Sequence, residues 1–102
     1  MDSQIYLKDV LKVAVIPKLS NEVCITANFE YKKYIGECKK FTLKARGGNI
    51  NICFDQGQSG VTYILLPDGV SYNEDIILTK TDFCIFFQSP TINAILEIIL
   101  WQ

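Results

Sequence analysis

The sequence predicts an all-β fold: a two-sheet antiparallel β-sandwich of jelly-roll type with seven or eight short strands. Three observations point there. Apolar residues recur with a period of two along most of the chain, which puts alternate side chains on opposite faces of a strand. Turn-forming clusters of Gly, Pro, Asn, Asp and Ser return about every eight to twelve residues, the spacing of short strands in a sandwich. No segment makes a convincing helix. A small closed barrel is the alternative architecture.

At the N-terminus, Leu7, Val10, Leu11 and Ala14 fit a helical stripe, whereas Leu11, Val13 and Val15 fit a strand. β-branched Val13, Val15 and Ile16 and the stop at Pro17 favour a strand over 10–16. Val23, Ile25, Ala27 and Phe29 alternate with polar or small residues as a second strand, and Tyr31 to Gly36 reads as a connection. Phe41, Leu43 and Ala45, then Ile50, Ile52 and Phe54, alternate on either side of Gly47-Gly48, as expected of a hairpin whose turn needs positive φ. Residues 55–60 form a loop, 61–66 a strand, and Pro67-Asp68-Gly69 a turn. Segments 76–79, 83–88 and 92–100 supply three more strands, with separators short enough for antiparallel neighbours.

A chain of 102 residues with 49% hydrophobic content supports one domain, 1–102, in which 1–21 is an N-terminal arm or first strand available to an interface. Ten basic residues against eleven acidic ones leave a formal charge of -1. The locally basic residues Lys32, Lys33, Lys39, Lys40, Lys44 and Arg46 read as a solvated face, so no nucleic-acid partner is expected. Residues 92–101 are too few to cross a bilayer as a helix and include Glu97; no leader pattern opens the chain, and no membrane partner is expected.

Histidine is absent, which removes the commonest general base and metal ligand and every Ser-His or Cys-His pair. Cys24, Cys38, Cys53 and Cys84 stand singly, without zinc or redox spacing, and read as reduced, buried side chains. Loop carboxylates Asp55, Asp68, Glu74, Asp75 and Asp82 read as turn formers or solvated charges in preference to a catalytic pair. No catalytic residue, metal or cofactor is therefore expected. Tyr63, Tyr72, Phe86 and Trp101 could stack on sugar rings, against a simpler role in packing.

The last two strands are apolar on both alternating faces. Phe83, Ile85 and Phe87 stand opposite Cys84 and Phe86; Ala94, Leu96, Ile98 and Leu100 stand opposite Ile95, Ile99 and Trp101. Either the N-terminal segment covers the second face or another molecule does. Ile95, Ile99, Trp101, Phe86 and Val10 are the candidate interface residues.

The stretches 38–45, 49–52, 63–71, 84–89 and 95–101 together resemble the small β-sandwich virion proteins of tailed bacteriophages, of the capsid-decoration and head-fibre types. The resemblance implies a non-enzymatic structural role on the particle after assembly in the host cytoplasm. It further implies a homo-oligomer, often a trimer, in contact with the major capsid protein or other virion proteins. A carbohydrate-binding module and a tail or neck structural protein are the alternatives.

Overall fold

The computed structural model describes residues 17–75 and 83–101. Eight strands occupy them: β1 (Pro17–Cys24), β2 (Tyr31–Tyr34), β3 (Lys40–Arg46), β4 (Ile50–Cys53), β5 (Ile64–Leu66), β6 (Ser71–Glu74), β7 (Cys84–Gln88) and β8 (Ala94–Trp101). They form two antiparallel sheets of four, in the orders β1-β8-β3-β6 and β2-β7-β4-β5. Successive strands lie in opposite sheets at every junction except β4 to β5. The pairings nest, β4 with β5, β3 with β6, β2 with β7 and β1 with β8, so the chain is a long antiparallel ribbon rolled into a two-sheet jelly roll.

The core lies between the sheets. Phe41, Leu43 and Ala45 of β3 and Ala94, Leu96 and Ile98 of β8 face Ile50 and Ile52 of β4 and Ile85 and Phe87 of β7, all essentially without solvent contact. Each large side chain removed from water contributes about 1.5–3 kcal/mol. The period of two in β3 and β8 is therefore an inside-outside alternation, whereas in β7 Ile85, Phe86 and Phe87 are buried in succession.

Several expectations are corrected. Gly47-Gly48 does not close a hairpin: β3 pairs with β8 and β6, while β4 pairs with β7 and β5, so the glycines turn the chain from one sheet to the other. Both have positive φ, and a Cβ at Gly48 would lie 2.7 Å from Cβ of Thr91. Of the strand expected over 23–29, only Val23 and Cys24 are strand, as the end of β1. β1 ends at Cys24, Asn28 takes a left-handed φ of 56°, and the Asn28 amide donates to the Ser89 carbonyl at 2.7 Å as the chain crosses between sheets.

Pro17 is the first described residue of β1, a position that an edge strand permits because its outer side needs no donor. Tyr31–Tyr34 is strand β2 and not a connection, and the strand expected over 61–66 shortens to Ile64–Leu66. β7 and β8 lie in different sheets, so they are not neighbours. The expected strands over 10–16 and 76–79, and the candidate interface residue Val10, fall outside the described residues.

The loops 25–30, 47–49, 67–70 and 89–93 gather at one end and bond to one another and to the adjoining strand ends. Asn93 N–H donates to Cys24 O (2.8 Å), Gly47 N–H to the Asp68 carboxylate (2.9 Å) and Ser89 Oγ to Asn49 O (2.6 Å). At the opposite end begins the β4–β5 loop, which reaches the Gln88 side chain on the outer face of the second sheet. Glu30 clamps it there, accepting from the amides of Gly57 (2.8 Å) and Ser59 (3.1 Å) and from the Ser59 hydroxyl.

Candidate outer-face docking surface

β8 is an inner strand of the first sheet, so its outward side chains lie between those of β1 and β3. Residues opposite one another in register share a face. Four rows follow: Pro17, Trp101 and Lys40; Leu19, Ile99 and Thr42; Asn21, Glu97 and Lys44; Val23, Ile95 and Arg46. The β1–β8 side of this surface is mostly apolar, whereas every outward residue of β3 except Thr42 is cationic.

Ile95, Ile99 and Trp101 are thus brought together on one outer face, each half-buried. Leu19, beside Ile99, is 74% exposed, and Val23, beside Ile95, is 41% exposed. A groove of about 460 Å³ runs over this surface, lined by Leu19, Asn21, Thr42, Lys44, Glu97 and Ile99 among others. Phe86 does not join them. It lies on the other sheet, opposite Lys32 and Cys53, and is only 7% exposed, so it has almost no area to offer a partner.

Leu19 is the residue that sequence reasoning passed over. It belongs to the segment 1–21 expected to reach an interface, but its isolation between Lys18 and Ser20 hid its pairing with Ile99.

The electrostatics of the face are simple. Arg46 Nε donates to Glu97 at 3.1 Å in an exposed pair worth little by itself. Lys40 Nζ stands 5.8 Å from the centre of the Trp101 ring, within cation–π range. The Trp101 indole N–H is buried without a partner among the described residues. The expected basic stretch is divided by the fold: Lys40, Lys44 and Arg46 share this face, Lys32 lies on the other sheet over Tyr34, and Lys33 pairs with Glu22 at 3.2 Å. A second cleft of about 500 Å³ opens at the β1–β2 edge, between Lys18, Ser20, Lys33, Tyr34 and Ile35.

The other candidates do not converge. Trp101 lies on the outer face of the first sheet and Phe86 on the second, Tyr63 stands in the β4–β5 connection, and Tyr72 packs against the core, so they form no common stacking platform. The Tyr72 hydroxyl donates to Glu74 at 2.6 Å; that bond, burial and the carboxylate charge push Tyr72 up to about 12. Asp68 serves the inter-sheet corner through Gly47, and the Asp55 carbonyl closes a turn with Gln58. Asp82 lies outside the described residues. Burial pushes up the thiols of Cys24, Cys38 and Cys53. Among the described residues, no group of three or more His, Cys, Asp or Glu could hold a metal ion.

No protein-family model matches the chain, and no curated protein matches it. Among solved structures, it is similar to a de novo designed double-stranded β-helix determined by solution NMR, with a TM-score of 0.51 and 18% identity over 85% of this chain and 99% of that one. At that identity the likeness concerns the fold alone.

Proposed function

We propose that the chain is a structural, non-enzymatic subunit of a bacteriophage virion: an auxiliary capsid protein that docks on the major capsid protein through the outer face of its first sheet. The observation that carries the docking is Leu19, 74% exposed beside Ile99, continued along the same strands by Val23 and Ile95. Covering a side chain of this size contributes about 1.5–3 kcal/mol, so a few of them under a partner hold a small protein in place. The virion assignment rests on the sequence resemblance and on the use of jelly rolls in capsid domains, since a fold alone does not specify function. Self-association, with the trimer as the implied form, belongs to the same reading, because linked copies multiply a modest interface across the equivalent sites of a particle.

Co-sedimentation with purified tailed-phage heads lacking their auxiliary protein tests this. The wild-type chain should pellet with the heads, and the double variant Leu19→Ser/Ile99→Ser should stay in the supernatant with unchanged circular dichroism. Light scattering on the free protein should report more than one copy. A stable monomer that ignores heads and binds a glycan array overturns the proposal in favour of a carbohydrate-binding module.

A further inference from the structure

We infer that the partner seated on the outer face of the first sheet is an acidic, partly apolar protein surface, and not a second copy of this chain. The inference rests on the docking reading and specifies its partner. Lys40, Lys44 and Arg46 all point outward from β3, while Glu97 is the one anion among the described outward residues of this sheet, and it is bonded to Arg46. The whole chain carries a formal charge of -1, so this excess of three cations over one anion is local. Lys44 and Arg46, two residues apart on the strand, stand about 7 Å apart and Lys40 about 13 Å from Lys44, so their fields add most strongly at low salt.

Two copies packed face to face meet one of two obstacles. Superposing the β3 strips opposes like charges, which costs association. Placing β3 over the apolar β1–β8 strip of the other copy takes lysines out of water against Leu19 and Ile99, where the one anion, Glu97, is already bonded to Arg46. A nucleic acid would answer the cations but leave Leu19 and Ile99 uncovered, and three cations are few for backbone binding. A protein face that sets carboxylates beside apolar side chains answers both strips, and its charge also steers the encounter.

Trp101 is the sole tryptophan and lies on this face beside Lys40, so its emission reports on the surface directly. The full chain is titrated with a short strand-forming peptide of alternating glutamate and valine, in parallel with a lysine–valine peptide, a single-stranded oligodeoxynucleotide and vesicles of anionic lipid. The glutamate–valine peptide should shift Trp101 emission. Lys40→Glu/Lys44→Glu should weaken its binding about tenfold or more, corresponding to about 1.4 kcal/mol. Binding should also weaken as ionic strength rises from about 0.01 to about 1 M, where the Debye length falls from about 30 to about 3 Å.

Binding that ignores salt and charge reversal but is lost in Leu19→Ser/Ile99→Ser overturns the acidic partner while leaving docking intact. Stronger binding of the oligonucleotide or the vesicles overturns the assignment to protein. A response only after residues 1–16 are removed makes the chain's own N-terminal segment the occupant and overturns the inference. Silence of Trp101 toward every probe, with heads still bound in co-sedimentation, overturns this face as the contact; silence in both assays removes the docking reading itself.

Discussion

Glu30 shows how one side chain can organise a surface. It sits just before β2, yet it holds the β4–β5 loop through Gly57 and Ser59, so it joins segments well separated in sequence. Burial alone would push its carboxyl up. The hydrogen bonds from the Ser59 hydroxyl and the two backbone amides outweigh that and hold it below the usual range. Folding lowers this pKa, so the contribution to stability is fully present above the unfolded carboxyl value of about 4.3 and is lost as pH falls through the folded one. Glu30→Ala should cost about 1–2 kcal/mol at neutral pH by urea denaturation, and its gap to wild type should narrow under acid conditions. An equal gap at both pH values would remove the clamp. No local pattern announces this role, because Glu30 and Ser59 carry no spacing signal, whereas Asp68 is legible as a turn residue from its Pro-Asp-Gly setting.

At the scale of elements, alternation reveals which side of a strand is buried but not which sheet receives it. β3 and β4 each have one buried face, and a Gly-Gly pair serves equally in a hairpin or in a corner between sheets. The deciding contact, Gly48 against Thr91, is forty-odd residues away in sequence and invisible beforehand. Gly48→Ala should therefore destabilise by about 1–3 kcal/mol through two effects, the clash with Thr91 and the φ of 156°. Thr91→Gly in the Gly48→Ala background should recover the steric part and leave the backbone part, measured as a coupling energy in a double-mutant cycle. β1 is the harder case: its buried residue is Cys24 and its exposed ones include Leu19 and Val23, because an edge strand over an open polar cleft has no core to face along most of its length. A search for the most apolar face of each strand reads β8 correctly and β1 in the wrong phase. The shared outer face of Ile95, Ile99 and Trp101 is legible in the sequence and the place of Leu19 beside them is not, for that reason.

Over the whole molecule, the nested ribbon has a tip and two ends, and the distinction governs how it forms. Among the described strands, β4 and β5 are the only successive ones that pair with each other, across the loop held by Glu30, whereas β1 and β8 come from opposite ends of the described chain. Closing a loop costs more entropy as it lengthens, so the tip is the least costly nucleus and the β1–β8 seam the last to close. Leu66 on β5 and Leu96 on β8 are both buried in the same core, which lets one chemical change probe both places. Each Leu→Ala change should cost about 2–5 kcal/mol at equilibrium. In chevron measurements Leu66→Ala should mainly slow folding, and Leu96→Ala should mainly accelerate unfolding, because only the first loses contacts already made in the transition state. The reverse assignment would mean that the ribbon closes from its ends, and the long-range seam that carries Leu19 and Ile99 would then be the folding nucleus as well as the proposed docking face.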